Sequence, residues 1–283
     1  MSGKSYVIID GELILEDSST QLNFNGRSVK YGDGFFETIH YHHSKALFLH
    51  LHAQRMIKTA KLLKFDFPAH WMPTFFDDQI QKLAAANHVN NGRINIVFTR
   101  DTEGFYLPLD KKFRYQISLT PAADKEEVYI LNETGLKLGE YRELIKTSNY
   151  LSSLKTNNGL IYVMAALYAK ANQLDECLIF NDVGRVAEAV SSNIILVKND
   201  TLITPPFSEY GIDGVMKKVL FQKASAYGYK VEEYPIYPED LYSCDEVWLT
   251  NVMKGIQWVG DYRGKSFGNS VATNIISLLN NSL

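Results

Sequence analysis

ECLIFNDVGRVAEAVSSNIILVKNDTLITPP, Glu176–Pro206, is the stretch that decides the fold. It is rich in β-branched and apolar residues and is broken by turn formers at Asp182-Val183-Gly184 and Asn199-Asp200, so it predicts a meander of strands. The preceding GLIYVMAALYAKANQ predicts a helix. A second helix is expected from about Asp213 to Tyr227, then a strand at DEVWLTN and a C-terminal helix. The first third is also mixed. SYVIIDGELIL reads as a hairpin turning at Asp10-Gly11, and FFETIHYHHSKALFLHLH as another turning near Ser44. LHAQRMIKTAKLLKF carries Met56, Ile57, Ala60 and Leu63 at the spacing of one helical face. DDQIQKLAAANHV predicts a further helix, and RINIVFTR and FRYQISLT predict strands. Strands and helices do not alternate regularly, so the expected class is α/β of the α+β type, not a doubly wound parallel sheet.

TPAADKEE, Thr120–Glu127, interrupts the strand pattern with proline, alanine and charge. The expected division is an N-terminal α/β domain over 1–119, a linker over 120–127 and a C-terminal domain over 128–283. The 283 residues are enough for two such cores. A formal charge of −3 gives no electrostatic footprint for nucleic acid or an acidic membrane, and no apolar run reaches the length of a membrane span. MSGKSYVIIDGELI meets Asp10 after only a few apolar residues, too few for a signal-peptide core. Two cysteines are too few for a disulfide scaffold. The expectation is a cytoplasmic protein.

Several chemistries find no support. The seven histidines all fall in the first domain, and alternation puts His40 and His42 on one strand face. No carboxylates stand at metal-ligand spacing beside them and no HExxH occurs, so no metal is expected. YGDGFFET has neither a GxGxxG nor a P-loop lysine, and no GxSxG nucleophile elbow is present.

The second domain offers more. Lys155, in the small polar turn SSLKTNN, and Glu188 lie 33 positions apart with one helix and one strand between them. Such a pair is commonly a surface ion pair. Two other features change its weight. GIDGVMKKV is a glycine-flanked turn opening a helix, which leaves the amides of Val215 and Met216 available to an anion. Arg55 can add a forked contact to that anion. An amine, an acid and a phosphate cup are the parts pyridoxal phosphate requires: a Schiff-base lysine, a partner for the pyridine nitrogen and an anchor.

With these segments in place, the sequence resembles the class IV aminotransferase family, the fold-type IV pyridoxal phosphate enzymes. The family includes branched-chain and D-amino acid aminotransferases and aminodeoxychorismate lyase. YGDGFFETI resembles its first-domain entry, HAQRM its H-x-x-R helix start, and LKTNN its lysine segment. GRVAEAVSSNIILVKNDTLITPP is similar to its most specific stretch, GIDGVMKK to its phosphate turn and DEVWLTN to a late strand. The resemblance implies a smaller N-terminal and a larger C-terminal domain with the cofactor between them, and a homodimer. It implies Lys155 as the Schiff-base lysine and proton carrier, and Glu188 as the partner of the pyridine nitrogen. Arg55 and the amides of Val215 and Met216 would hold the phosphate, with Asn193 supporting the ring and Thr250, Asn251 and Val252 nearby. Phe36 falls near the substrate.

There are departures from the family pattern. Lys217 replaces a usual arginine, and Asp213 brings a carboxylate close to the phosphate unless it turns to cap the helix. Val252 lacks a hydroxyl the position often has, with Thr250 available to compensate, and Trp258 alters the expected pocket wall. The reaction stays open between transfer of an amino group from a small amino acid and the lyase reaction, which yields 4-aminobenzoate and pyruvate. A non-catalytic metabolite-binding protein on the same fold is a third reading. Thr38 matches a threonine of the lyase. Phe105 and Tyr106 stand where substrate-carboxylate motifs of the family fall, without reproducing them. Arg100 and Arg142 are the candidate carboxylate binders.

Overall fold

Asp10 and Gly11 both have positive φ, 51° and 90°, so the backbone reverses tightly between β1 (Tyr6–Ile9) and β2 (Glu12–Leu15). The computed structural model describes residues 5–16, 25–68, 71, 73–123 and 125–283; Asp124, in the expected linker, and the first four residues lie outside them. The chain divides into two units, Met1–Lys125 with Lys155–Asn158, and Glu126–Leu154 with Gly159–Leu283.

In the first unit α1 (Arg27–Tyr31) leads into β3 (Gly34–His42), β4 (Lys45–Ala46), α2 (Leu49–Leu62), α3 (Pro73–Asn87), β5 (Gly92–Arg100) and β6 (Phe113–Pro121). The six strands form an antiparallel sheet in the order β2-β1-β6-β5-β3-β4. His43 and Ser44, both at positive φ, make the β3–β4 turn. Alternation sends Phe35, Ile39 and Tyr41 of β3, and Ile94, Ile96 and Phe98 of β5, into a core shared with Met56, Phe76 and Ile80 of the helices. Phe36, Thr38, His40 and His42 occupy the opposite face of β3. β6 runs to Pro121, so the strand continues two residues into the expected linker.

The second unit contains β7 (Leu136–Lys146), α4 (Leu160–Ala171), β8 (Glu176–Asn181), β9 (Val186–Ala189), β10 (Asn193–Lys198), β11 (Thr201–Thr204), α5 (Val215–Ala226), β12 (Lys230–Glu233), β13 (Glu246–Asn251), β14 (Gly255–Tyr262), β15 (Lys265–Ser266) and α6 (Ser270–Asn280). The sheet order is β12-β11-β10-β13-β14-β7-β8-β9, with β15 on β14. Two crossovers join parallel neighbours: α4 links β7 to β8, and α5 links β11 to β12. The expected meander is therefore corrected. β8–β9 and β10–β11 are hairpins, but β9 ends the order while β10 pairs with β13. The chain turns between them where Ala189 N–H donates to Ser192 O at 2.8 Å, and it re-enters the sheet elsewhere. β7, β12 and β14 have no counterpart in the sequence reading.

Candidate active site

Glu188 is on β9 and is buried. Its Oε1 accepts hydrogen bonds from Lys146 Nζ, at the end of β7, and from Tyr162 Oη of α4 at 2.7 Å. Lys146 also donates to Tyr162 Oη at 2.9 Å. Burial, then the neighbouring Glu188, pushes the Tyr162 phenol far above its ordinary range, so it stays a donor. Glu188 Oε2 accepts the Ile212 N–H at 2.8 Å, which ties the carboxylate to the turn that opens α5.

That turn is closely packed. A Cβ on Gly211 would lie 2.5 Å from Ala187 O, and one on Gly214 only 1.7 Å from Asn193 Oδ1. Asn193 donates from Nδ2 to Ile212 O at 2.7 Å. Gly214 is the N-cap of α5, and no side chain caps the helix, so the amides of Val215 and Met216 open a twelve-residue helix without a capping oxygen. Asp213 does not cap it. Its carboxylate turns to Lys218 Nζ at 2.6 Å, so its charge is paired. Lys217 is buried and lies 3.8 Å from Glu233.

Thr250, paired with Asn193 across β10–β13, has a buried hydroxyl with no hydrogen-bond partner among the described residues. Asn251 shapes the β13–β14 turn, its Oδ1 accepting the N–H groups of Met253 and Lys254. Val252 is buried and its carbonyl accepts Tyr129 Oη at 3.0 Å.

In the first unit Lys155 lies beside β3. Its carbonyl accepts the Phe36 N–H at 3.0 Å, and its ammonium sits 4.0 Å from the Phe36 ring centre. Thr156 bridges to Phe35. Phe36 and Thr38 share the face of β3 away from the core. On the core face, Glu37 holds the Arg55 fork, with Nε to Oε1 and Nη2 to Oε2 both at 2.6 Å, and accepts His52 Nδ1 at 2.9 Å. Burial opposes the charge on Glu37, but Arg55 and His52 outweigh it and hold the carboxyl at about 2.

The other candidates are placed less centrally. Arg100 is buried and committed inside the unit, to Asp33, to Leu63 O at 2.7 Å and to Lys64 O, with its guanidinium over Phe65. Tyr106 is 87% exposed on a loop whose carbonyls at Gly104, Phe105 and Tyr106 are gathered by Arg27. Arg142 pairs with Glu140 at 2.6 Å and covers Phe180. The Trp258 indole N–H donates to Asn132 O, and its ring crowds Gly135. Among the described residues no cluster of three or more metal-type ligands occurs, and no helix is long and apolar enough to cross a membrane.

Sequence reading overlooked Lys146, Tyr162, Glu37 and the fork it holds. Lys146 sits on the unread strand β7, 42 positions before its partner, and no local pattern joins the two.

The model of the class IV aminotransferases matches residues 34–261. The chain belongs to this family of enzymes. It is 25% identical over 238 residues to an aminodeoxychorismate lyase of Vibrio harveyi, covering 84% of this chain and 86% of the relative. It is 23% identical over 283 residues to a D-alanine aminotransferase of Bacillus licheniformis, covering 98% and 96%. The fold matches the branched-chain amino acid aminotransferase of Escherichia coli with a TM-score of 0.85 at 20% identity, over 96% of this chain and 92% of that one. The fold is therefore that of the fold-type IV enzymes. Aminotransferases and a lyase stand at similar distances from this chain.

Proposed function

We propose that the protein is a pyridoxal-phosphate-dependent aminotransferase that moves the amino group of a small amino acid. Glu188 carries this reading: it is a buried carboxylate bonded to the turn at whose end α5 presents uncapped amides. The residues suit the cofactor. Gly214 leaves no room for a side chain at the helix start, and the Thr250 hydroxyl is buried without a partner among the described residues. Pyridoxal phosphate, when bound, supplies an electrophilic carbonyl and an electron-withdrawing ring.

The roles follow from the side chains. Lys155 would hold the cofactor covalently and would serve as the base that takes the α-proton and returns it. Glu188 would be the acidic partner of the ring nitrogen. The amides of Val215 and Met216 would bind the phosphate, Arg55 would add its charge while Glu37 holds its fork, and Thr250 is the hydroxyl available beside Val252. Asn193 holds the Ile212–Gly214 turn in place. Phe36 borders the substrate. The protein works in the cytoplasm as a homodimer, and its charge of −3 suits a small-molecule substrate, not nucleic acid or a membrane.

A second reading, aminodeoxychorismate lyase, is favoured by Thr38, which follows Phe36 on the same face of β3 and is buried. One pair of assays separates the two: aminodeoxychorismate followed for 4-aminobenzoate, and amino acids offered with 2-oxoglutarate or pyruvate. Before that, purified protein with added cofactor should show an absorption band near the visible edge and should be trapped by borohydride. Lys155→Ala should abolish both. A wild-type protein without the band would end this proposal, and trapping retained in Lys155→Ala would move the attachment to another lysine.

A further inference from the structure

We infer that Lys146 and Tyr162 are positioning residues that hold Glu188 as a carboxylate with a single open acceptor site, on Oε2, for the cofactor's ring nitrogen. This rests on the functional reading above and deepens it.

A carboxylate offers about four acceptor sites. Two, on Oε1, are taken by Lys146 Nζ and Tyr162 Oη, and a third, on Oε2, by the Ile212 amide. The three side chains close a triangle, since Lys146 also donates to the tyrosine oxygen. Lys146 and Glu188 have side chains only 3% and 4% exposed, so neither charge has water to fall back on. A buried ion pair is a poor device for stability alone, because well-packed apolar residues commonly serve as well. Its distinctive effect is on where a proton resides. An ammonium in direct contact with Oε1 attracts the negative charge of the carboxylate. It acts more weakly on a ring bonded through the other oxygen, since Coulomb energy falls with distance. The shared proton therefore stays on the ring nitrogen. Without Lys146, the carboxylate competes for that proton.

The test loads the full-length protein with pyridoxal phosphate carrying nitrogen-15 in the ring and follows that nitrogen's chemical shift with pH. The wild type should keep the ring proton between about pH 6 and 9, whereas Lys146→Met should lose it within that range. Tyr162→Phe keeps the ion pair and should shift the titration in the same direction by a smaller amount. It decides the matter if Lys146→Met does not fold. Lys146→Arg should restore the wild-type curve. Ring titration unchanged in Lys146→Met, or in Tyr162→Phe where that variant decides, would overturn the inference and leave the pair a structural one. Glu188→Gln separates the two levels. If it also leaves the ring proton in place, or if the wild type does not take up the cofactor, the functional reading itself fails.

Discussion

Glu37 shows how much one side chain can bind together. It occupies the core face of β3, flanked by Phe35 and Ile39, where alternation calls for an apolar residue. Burial alone would favour its neutral form, yet the Arg55 fork and His52 hold it at about 2. His52 is itself moved down, because burial outweighs the pull of Glu37. A neutral imidazole donating from Nδ1 is the state that satisfies both. The folded carboxyl thus lies below its value of 4.5 in the open chain, and the folded state binds fewer protons. Its contribution is complete above about pH 4.5 and disappears as pH falls toward about 2. It is on the order of 3 kcal/mol for a fully buried group. Urea denaturation of the protein should show this loss between about pH 5 and 2. Glu37→Gln should flatten that part of the curve and be less stable at neutral pH, since Arg55 then loses its paired charge. An unchanged acid profile would show that Glu37 titrates normally.

Elements were legible where one period held throughout. Met56 and Ala60 announced α2 and lie on its buried face, whereas Ile57 is exposed and Leu63 follows the helix as its C-cap; the Asp10-Gly11 turn announced the first hairpin. β7 did not announce itself because its alternation fails. Residues 142–145 are all exposed, and its pairing with β8 shifts register between Tyr141 and Lys146. That irregular segment delivers Lys146 to Glu188, so the unread strand and the overlooked lysine have one cause. The opening of α5 was legible from its glycines, although the sequence could not show what they touch. Gly214 has φ −67°, so alanine fits its backbone, and only the Asn193 side chain stands in the way. Gly214→Ala should weaken cofactor binding by about tenfold or more by displacing the helix start. Adding Asn193→Ala removes the clash along with the bond to Ile212 O, so the double variant should lose less than the sum of the single losses. Fluorescence titration with pyridoxal phosphate measures all four proteins. Strict additivity would mean that Asn193 and Gly214 act independently.

At the scale of the whole chain, a linear boundary could be found but a returning segment could not. Lys155–Asn158 groups with the first unit through its pairing with β3, some distance along the chain from the composition break at Thr120–Glu127. The same scale explains α4. Its inner side packs Ala165 and Ala169 against β7 and β8, as a crossover helix must. Its outer side carries Leu160, Val163, Met164 and Leu167, at helical spacing and 37–70% exposed in the single chain. A helix apolar all round is a helix covered on both sides, and a stripe of this kind left open invites association. A second copy of the chain is the occupant the proposed homodimer supplies. Leu160→Glu with Leu167→Glu places charge on that stripe without touching Ala165 or Ala169. Sedimentation equilibrium at micromolar concentration should give a dimer for the wild type and a monomer for the double variant, with unchanged circular dichroism. Val183→Glu, on an exposed apolar residue outside α4, should remain dimeric. A wild type that sediments as a monomer, or a double variant that stays dimeric, would exclude this face of α4 as the contact.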